Sequence, residues 1–349
     1  VQRRGVFRRH WPRQPFRRVD FARLAELKSM FWCNFKSAAR FESLQTKCVC
    51  HRRLGIRSSI SKLFKSSTTK RGTSPASYCT DLVRQYDYEN YLCSLLLPAG
   101  VRRSAFAIRA FNVELAQIRD VVSRTDIGVM RIHFWKDAVE RVYKGSPPEH
   151  PVAQELSVLV HSKQLSRQWM NRMIDSRESI LGDKPHNTVS DLEEYAEKSI
   201  SSTLYLILQS MGVQSVVCDH VASHVGKLQG ITNLIRGIPF NVSRGRVYVP
   251  SELMAKHKVS QESVARGKGD LKEVVYDIAC TAHQHLVKAR SLKKDTPSDV
   301  RTVYLPAVAS SAYLEKLRCA DFNVFDGQLH LRNGLLPFSL WWHKVKRTF

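Results

Sequence analysis

Residues 226–250 read Gly-Lys-Leu-Gln-Gly-Ile-Thr-Asn-Leu-Ile-Arg-Gly-Ile-Pro-Phe-Asn-Val-Ser-Arg-Gly-Arg-Val-Tyr-Val-Pro. The apolar residues leading into this stretch keep helical spacing and predict a helix over residues 216–236. Gly237-Ile-Pro239 is expected to break it, because proline has no N–H to give and crowds the preceding turn. Val247-Tyr-Val249 then reads as a short extended piece before Pro250. Arg236, Arg244 and Arg246 accompany Asn233 and Tyr248. A guanidinium is a planar fork that matches phosphate oxygens, so these five residues are a candidate anion or lipid-headgroup pocket. The other reading is that the arginines bridge surface carboxylates.

A second stretch, residues 95–120, runs Leu-Leu-Leu-Pro-Ala-Gly-Val-Arg-Arg-Ser-Ala-Phe-Ala-Ile-Arg-Ala-Phe-Asn-Val-Glu-Leu-Ala-Gln-Ile-Arg-Asp. Together the two stretches resemble the squalene/phytoene synthase family. Its members carry L-L-P…R-R-x-A-x-x-A-x-x-A-F leading into a D-D-x-x-D helix, and later T-N-x-x-R-D-x-x-x-D followed by R-G-R-x-Y-x-P. Thr232, Asn233, Arg236, Arg244, Gly245, Arg246, Tyr248 and Pro250 match the second pattern. The resemblance covers roughly residues 78–345.

The departures fall on the metal ligands. Gly237 and Asn241 stand where the family has aspartates. By register from Phe111, Ala116 and Gln117 replace the first pair, so only Asp120 keeps a carboxylate. Tyr195-Ala-Glu-Lys-Ser-Ile-Ser-Ser-Thr-Leu204 also lacks the Ala-Gly pair of the family's Y-x-x-x-V-A-G-x-V-G helix. Ionising an allylic diphosphate needs Mg²⁺, a hard ion that demands oxygen ligands in near-octahedral order. Two aspartates at i and i+4 share a helical face and can serve one ion cluster. Glycine and alanine offer nothing, and asparagine is a poor substitute. Asp120, beside Arg119 and Arg124, reads as an ion-paired acid rather than a magnesium ligand.

Within the family, the runs Tyr91-Leu-Cys-Ser-Leu-Leu-Leu-Pro98, Arg109-Ala-Phe-Asn-Val-Glu-Leu-Ala-Gln117 and Ser223-His224-Val-Gly-Lys-x-Gln-Gly-Ile231 resemble a branch that has lost its aspartates and serves the assembly of mitochondrial respiratory complex I. The resemblance implies an all-α isoprenoid-synthase-type bundle with a central cavity, no catalysis and no cofactor. It implies as partners early complex I assembly intermediates or a hydrophobic membrane-arm subunit, at the matrix side of the inner membrane. The cavity is then expected to accept a hydrophobic client segment or a lipid. The rival reading is an active prenyl-diphosphate transferase with displaced metal ligands.

Composition bears on location. Of 55 Lys and Arg in 349 residues, 19 lie in residues 1–75 against three Asp and Glu, a local charge of +16 out of +24. An arginine-rich, serine-rich, acid-poor segment has the composition of a mitochondrial targeting arm. The alternatives are a disordered arm that holds nucleic acid or acidic lipid by charge, or, since the chain opens on Val1, a segment partly outside the native coding sequence. Residues 76–349 are expected to form the helical domain. Their remaining +8 carries no base-reading module, which disfavours nucleic acid. Eight scattered cysteines include no CxxC pair, and Cys48-Val-Cys50-His51 lacks further ligands, so free thiols in a reducing compartment are expected. No window approaches the roughly 18 apolar residues of a membrane span; residues 203–213 and 335–342 are too short, and membrane association is expected to be peripheral.

Helical spacing further predicts helices over residues 127–143, 150–162, 166–181, 189–211 and 270–292. His220 and His224 have metal-ligand spacing but no Glu in an H-E-x-x-H pattern, so packing or hydrogen bonding is the expected role; His283 and His285 read as structural. The run Leu335-Leu-Pro-Phe-Ser-Leu-Trp-Trp-His-Lys-Val-Lys-Arg347 suits either a membrane interface or a helix capping the bundle.

Overall fold

The computed structural model describes residues 74–122, 124–183, 186–266 and 269–349. The targeting-arm expectation for residues 1–75 and the Cys48–His51 cluster therefore lie essentially outside the described residues. No strand occurs among those described, and the fold is an all-α bundle.

Helices α1 (Pro75–Tyr86), α2 (Tyr88–Leu95) and α3 (Ala99–Val121) open the bundle. Ser74 caps α1 by accepting the Ser77 N–H, with Pro75 where no backbone donor is required. Helices α1 and α5 (Pro151–Lys163) pack against α3, whose Ala105, Ala107 and Ala110 are all buried. Between them runs α4 (Thr125–Tyr143), whose Trp135 meets Phe111 edge to face at 5.3 Å. Next come α6 (Arg167–Glu178), α7 (Val189–Ala196) and α8 (Ser202–Ser210). Thr188 and Asp191 form a reciprocal capping box at the start of α7.

The predicted helix over residues 189–211 is interrupted by one π turn, Glu197–Ser201. It falls in the stretch that lacks the family's Ala-Gly pair. The reason for close approach is found on the opposite helix, α9 (Val216–Val242), which crosses this turn. A Cβ on Gly226 would lie 2.6 Å from the Ser201 Cα, and one on Gly230 would lie 2.5 Å from the Ala196 Cβ. The small residues that let these backbones meet are Gly226 and Gly230, across from Ser201 and Ala196.

One expectation is corrected here: Gly237-Ile-Pro239 does not break α9, which continues to Val242 with Pro239 inside it. Proline removes a single donor, and the ladder resumes at once, with the Ser243 N–H donating to the Pro239 carbonyl at 3.0 Å. Buried Ile235 and Ile238, with Val242 packed on the core, hold the last turns in register. Tertiary packing outweighs the local cost of the proline. The true stop is Gly245 at φ +70, where Gly245 N–H donates to Val242 O at 2.9 Å and Arg246 N–H to Asn241 O at 2.9 Å. This is a Schellman ending.

The chain closes with α10 (Ser251–Lys256), α11 (Gln261–Ala265), α12 (Lys272–Ser291), α13 (Pro306–Cys319) and α14 (Leu336–Val345). Helix α12 lies along α9. Across that contact a His224 ring nitrogen meets one of His285 at 2.9 Å, and the other His285 nitrogen meets a Glu193 oxygen at 3.0 Å. The hydrogen-bonding role expected for His224 is the one observed. Helix α14 packs on α13 and α2 through Leu336 and Leu340, so the run from Leu335 caps the bundle. The five described cysteines are free, and burial pushes the Cys79 and Cys93 thiols up to about 12. No described helix is long and apolar enough to cross a membrane.

The α9 contacts lead to two expected outcomes. Gly226→Ala and Gly230→Ala are each expected to lower stability by about 1–3 kcal/mol through overpacking, whereas Gly100→Ala, with open space around its Cβ, is expected to be neutral or stabilising. Denaturant midpoints of the three variants give the comparison. Burial first, and the His285 charge next, hold His224 down to about 4. The unfolded chain takes that proton near pH 6.5, so stability is full above pH 6.5 and declines as pH falls toward 4. His224→Gln should flatten that decline in midpoints measured across the same range.

Candidate functional site

The positions where the family carries its metal ligands lie near the carboxyl ends of α3 and α9. Ala116 and Asp120 are exposed on α3, and Gly237 and Asn241 are half-buried on α9. A Cβ on Gly237 would lie 3.3 Å from the Asn241 amide nitrogen, so only that side-chain tip limits space at the position.

The surviving acid already has partners. Asp120 Oδ1 accepts from Arg244 at 3.0 Å and from Arg246 at 3.4 Å. Both arginines flank Gly245, and the left-handed glycine turns the chain so that the pair converges on one carboxylate. A second acid completes the cluster. Asp183 Oδ1 accepts from Arg119 Nε at 2.7 Å and from the Tyr248 hydroxyl at 2.6 Å, while Asp183 Oδ2 accepts from Arg119 Nη2. Arg246 Nε stands 3.8 Å away. Desolvation pushes the Asp183 carboxyl up, but bonds from Arg119 and Tyr248 and the charges of Arg119 and Arg246 outweigh it, holding the group below the usual carboxylate range. The same contacts hold the Arg119 guanidinium up, and burial with the Asp183 partnership raises the Tyr248 hydroxyl.

Asn233 and Arg236 belong to a different place. They line a cavity of about 270 Å³ bounded by residues 86–89, α9, α13 and residues 329–336. Arg236 donates to Glu89 at 2.9 Å and stacks 4.7 Å over the Tyr313 ring. The candidate anion pocket is thus divided. Arg244, Arg246 and Tyr248 join Asp120 and Asp183, whereas Asn233 and Arg236 face the cavity with Glu89. Arg236 pairs with Glu89, and Arg244 and Arg246 pair with Asp120.

Charge and polar groups continue behind the cavity. Gln229 donates to Asn90 Oδ1 at 3.1 Å, and Asn90 donates to both Asp87 oxygens at 2.9 Å. Arg109, only 3 % exposed, interacts electrostatically with Asp87. Desolvation raises the Asp87 carboxyl against the opposing pull of Arg109 and Asn90. The buried Gln229 Oε1 and Arg109 Nε have no hydrogen-bond partner. The cavity is lined by Glu89, Gln229, Asn233 and Arg236 together with Leu329, Leu331 and Leu336. Buried charge is expensive to desolvate unless paired, which makes Arg109 and Asp87 mutually dependent.

Sequence reasoning did not single out Asp183, Glu89, Asp87 or Arg109. Asp183 sits at φ 54 in a turn after α6, and no spacing rule links it to Arg119 or Tyr248, 64 and 65 residues away. The residues present do not suit magnesium. Three of the four outer positions lack a carboxylate, the fourth is held by two guanidiniums, and among the described residues no three His, Cys, Asp or Glu side chains cluster to hold an ion.

The squalene/phytoene synthase family model matches residues 83–334. The chain is 47 % identical over 272 residues to a Bos taurus protein named NADH dehydrogenase (ubiquinone) complex I, assembly factor 6, covering 76 % of this chain and 82 % of that one. The Mus musculus protein of the same name is 46 % identical over the same shares. In structure it is similar to a dehydrosqualene synthase crystallised with a ligand, with a TM-score of 0.67 and 19 % identity, covering 78 % of this chain and 96 % of the other.

Asp183→Ala strands Arg119, Arg246 and Tyr248 together and is expected to cost about 1–2 kcal/mol. Asp120→Ala loses only well-solvated pairs and should cost under about 1 kcal/mol. Thermal or urea unfolding of the two variants side by side measures the difference.

Proposed function

This chain belongs to the squalene/phytoene synthase family, and from that premise we propose that it acts without catalysis, as an assembly factor for mitochondrial respiratory complex I. The observation that carries the reading is the closure of Arg244 and Arg246 on Asp120. In a prenyl-transfer site the metal-bound leaving group carries the negative charge. Here a fixed aspartate stands opposite the arginines, with Ala116, Gly237 and Asn241 in the remaining ligand positions. The site is neutralised from within, and a diphosphate would have to displace a protein carboxylate without metal assistance.

The names borne by the bovine and murine relatives supply the process. The basic, acid-poor residues 1–75 act as the mitochondrial targeting arm, and residues 76–349 as the helical domain. The domain works on the matrix side of the inner membrane, in peripheral contact with it, during early assembly of a hydrophobic membrane-arm subunit. A helical scaffold with a disabled site suits holding a client through its outer faces and the mouth of its cavity, where Tyr86 and Leu331 leave apolar surface exposed.

Two measurements test this. The purified full chain, given farnesyl or geranylgeranyl diphosphate with Mg²⁺ or Mn²⁺, is expected to release no pyrophosphate. Cells lacking the chain should lose assembled complex I on native gels while keeping their isoprenoid products, and Asp120→Ala should rescue them. Metal-dependent pyrophosphate release that vanishes in Asp120→Ala would restore the transferase reading, and normal complex I in the null cells would end the assembly reading.

A further inference from the structure

Where the end of α12, residues 293–301 and α14 meet, the surface carries charge that the fold does not answer. Residues 286–301 and 336–349 hold eight Lys and Arg against two Asp and no Glu. None of the eight pairs with an Asp or Glu side chain among the described residues. The corner is tied together through main-chain and hydroxyl oxygens instead. Arg290 donates to the Phe349 carbonyl at 3.1 Å, Arg301 to the Arg347 carbonyl at 3.3 Å, and Arg347 to the Ser298 hydroxyl at 3.4 Å. The cations feel one another. Desolvation, then Arg301 and Arg290, lowers the Lys293 ammonium; desolvation, then Arg290, Lys346 and Lys293, lowers the His343 imidazole.

Beside this charge lies an apolar strip. Leu336 and Leu340 turn α14 into the bundle, which leaves positions 335, 338, 342 and 345 along one outer stripe at helical spacing. Leu335 is 70 % exposed, Trp342 39 % and Val345 55 %. Phe338 stacks on Trp342 at 6.4 Å, and the Lys346 ammonium sits 4.4 Å over the Trp342 ring. We propose that this strip and its flanking cations form a docking face for an anionic phospholipid bilayer, with Trp342 and Val345 entering the headgroup layer and Lys293, Lys346 and Arg347 meeting lipid phosphates.

The combination selects the bilayer. A soluble polyanion would engage the cations and leave the strip in water, whereas a lipid interface accepts apolar side chains, an indole and cationic heads at one depth. The proposal gives a location to the peripheral membrane contact of the proposed function and rests on that reading. Its test uses vesicles rather than complex I content, so the two can fail separately.

Hydrogen exchange of the full chain is measured with vesicles of phosphatidylcholine alone and of phosphatidylcholine with phosphatidylglycerol. Residues 1–75 are themselves basic, so the readout is local amide protection over residues 335–346 rather than total binding. Protection is expected on the mixed vesicles, weaker as salt rises, and absent on phosphatidylcholine. Each cation near such a surface contributes about fivefold, so Lys293→Gln, Lys346→Gln and Arg347→Gln combined should weaken α14 docking about a hundredfold. Trp342→Ser, at a partly exposed position, should weaken it with an unchanged melting temperature and carries the test if the triple variant unfolds. Binding without protection of α14, equal protection in a folded triple variant and in Trp342→Ser, or protection by an acidic peptide or nucleic acid but not by vesicles would each overturn the proposal.

Discussion

The rest of the fold depends on how closely α9 approaches the turn that joins α7 to α8. At Gly226 the two backbones leave no room for a methyl group, and at Gly230 the nearest neighbour is the Ala196 methyl. That contact fixes both the height and the rotation of a 27-residue helix. Much of what distinguishes this chain hangs from it, including His224 against α12, Gln229 and Arg236 at the cavity, and Gly237 and Asn241 at the old metal positions. It also explains why α9 survives its own proline. A helix held along its length by buried contacts loses one hydrogen bond at Pro239, not its course.

Family enzymes use metal to bring like charges together at the carboxyl ends of these helices. This chain has two acids and three arginines in the same place, arranged as one partly solvated network. Exposed pairs of this sort stabilise only modestly one at a time, so the network is better understood as charge balance than as a clamp. With Asp120 and Asp183 in place, Arg119, Arg244 and Arg246 are not left as an unanswered positive patch. The acids and the arginines balance one another's charge within the protein itself.

Much of this was legible in the sequence because it rests on local periodicity and on one motif frame. The helices over residues 127–143, 150–162 and 270–292 appear within a few residues of their expected limits. What the sequence could not reveal depends on long-range approach. Nothing near Asp183 marks it as the partner of Arg119 and Tyr248. Arg109 lies in an ordinary-looking helical run, and only the folded structure brings it near Asp87. The break expected at Gly237 followed a sound local rule that ignored Ile235, Ile238 and Val242. Dividing the five pocket candidates between two places likewise required knowing that Gly245 ends α9 in a left-handed turn.

The π turn at Glu197–Ser201 has a consequence for which changes of length the chain can absorb. Such a turn fits an extra residue into a helical coil, and each residue rotates the remainder of the helix by about 100°. Deleting one residue there would restore a regular helix and leave α8 close to its present phase, because the wide turn is what absorbs the extra residue. A residue inserted within α8, between Leu204 and Leu208, would have no such slack and would turn Leu208 out of the core. The turn is therefore the place along this stretch where a change of length by one residue disturbs the packing least.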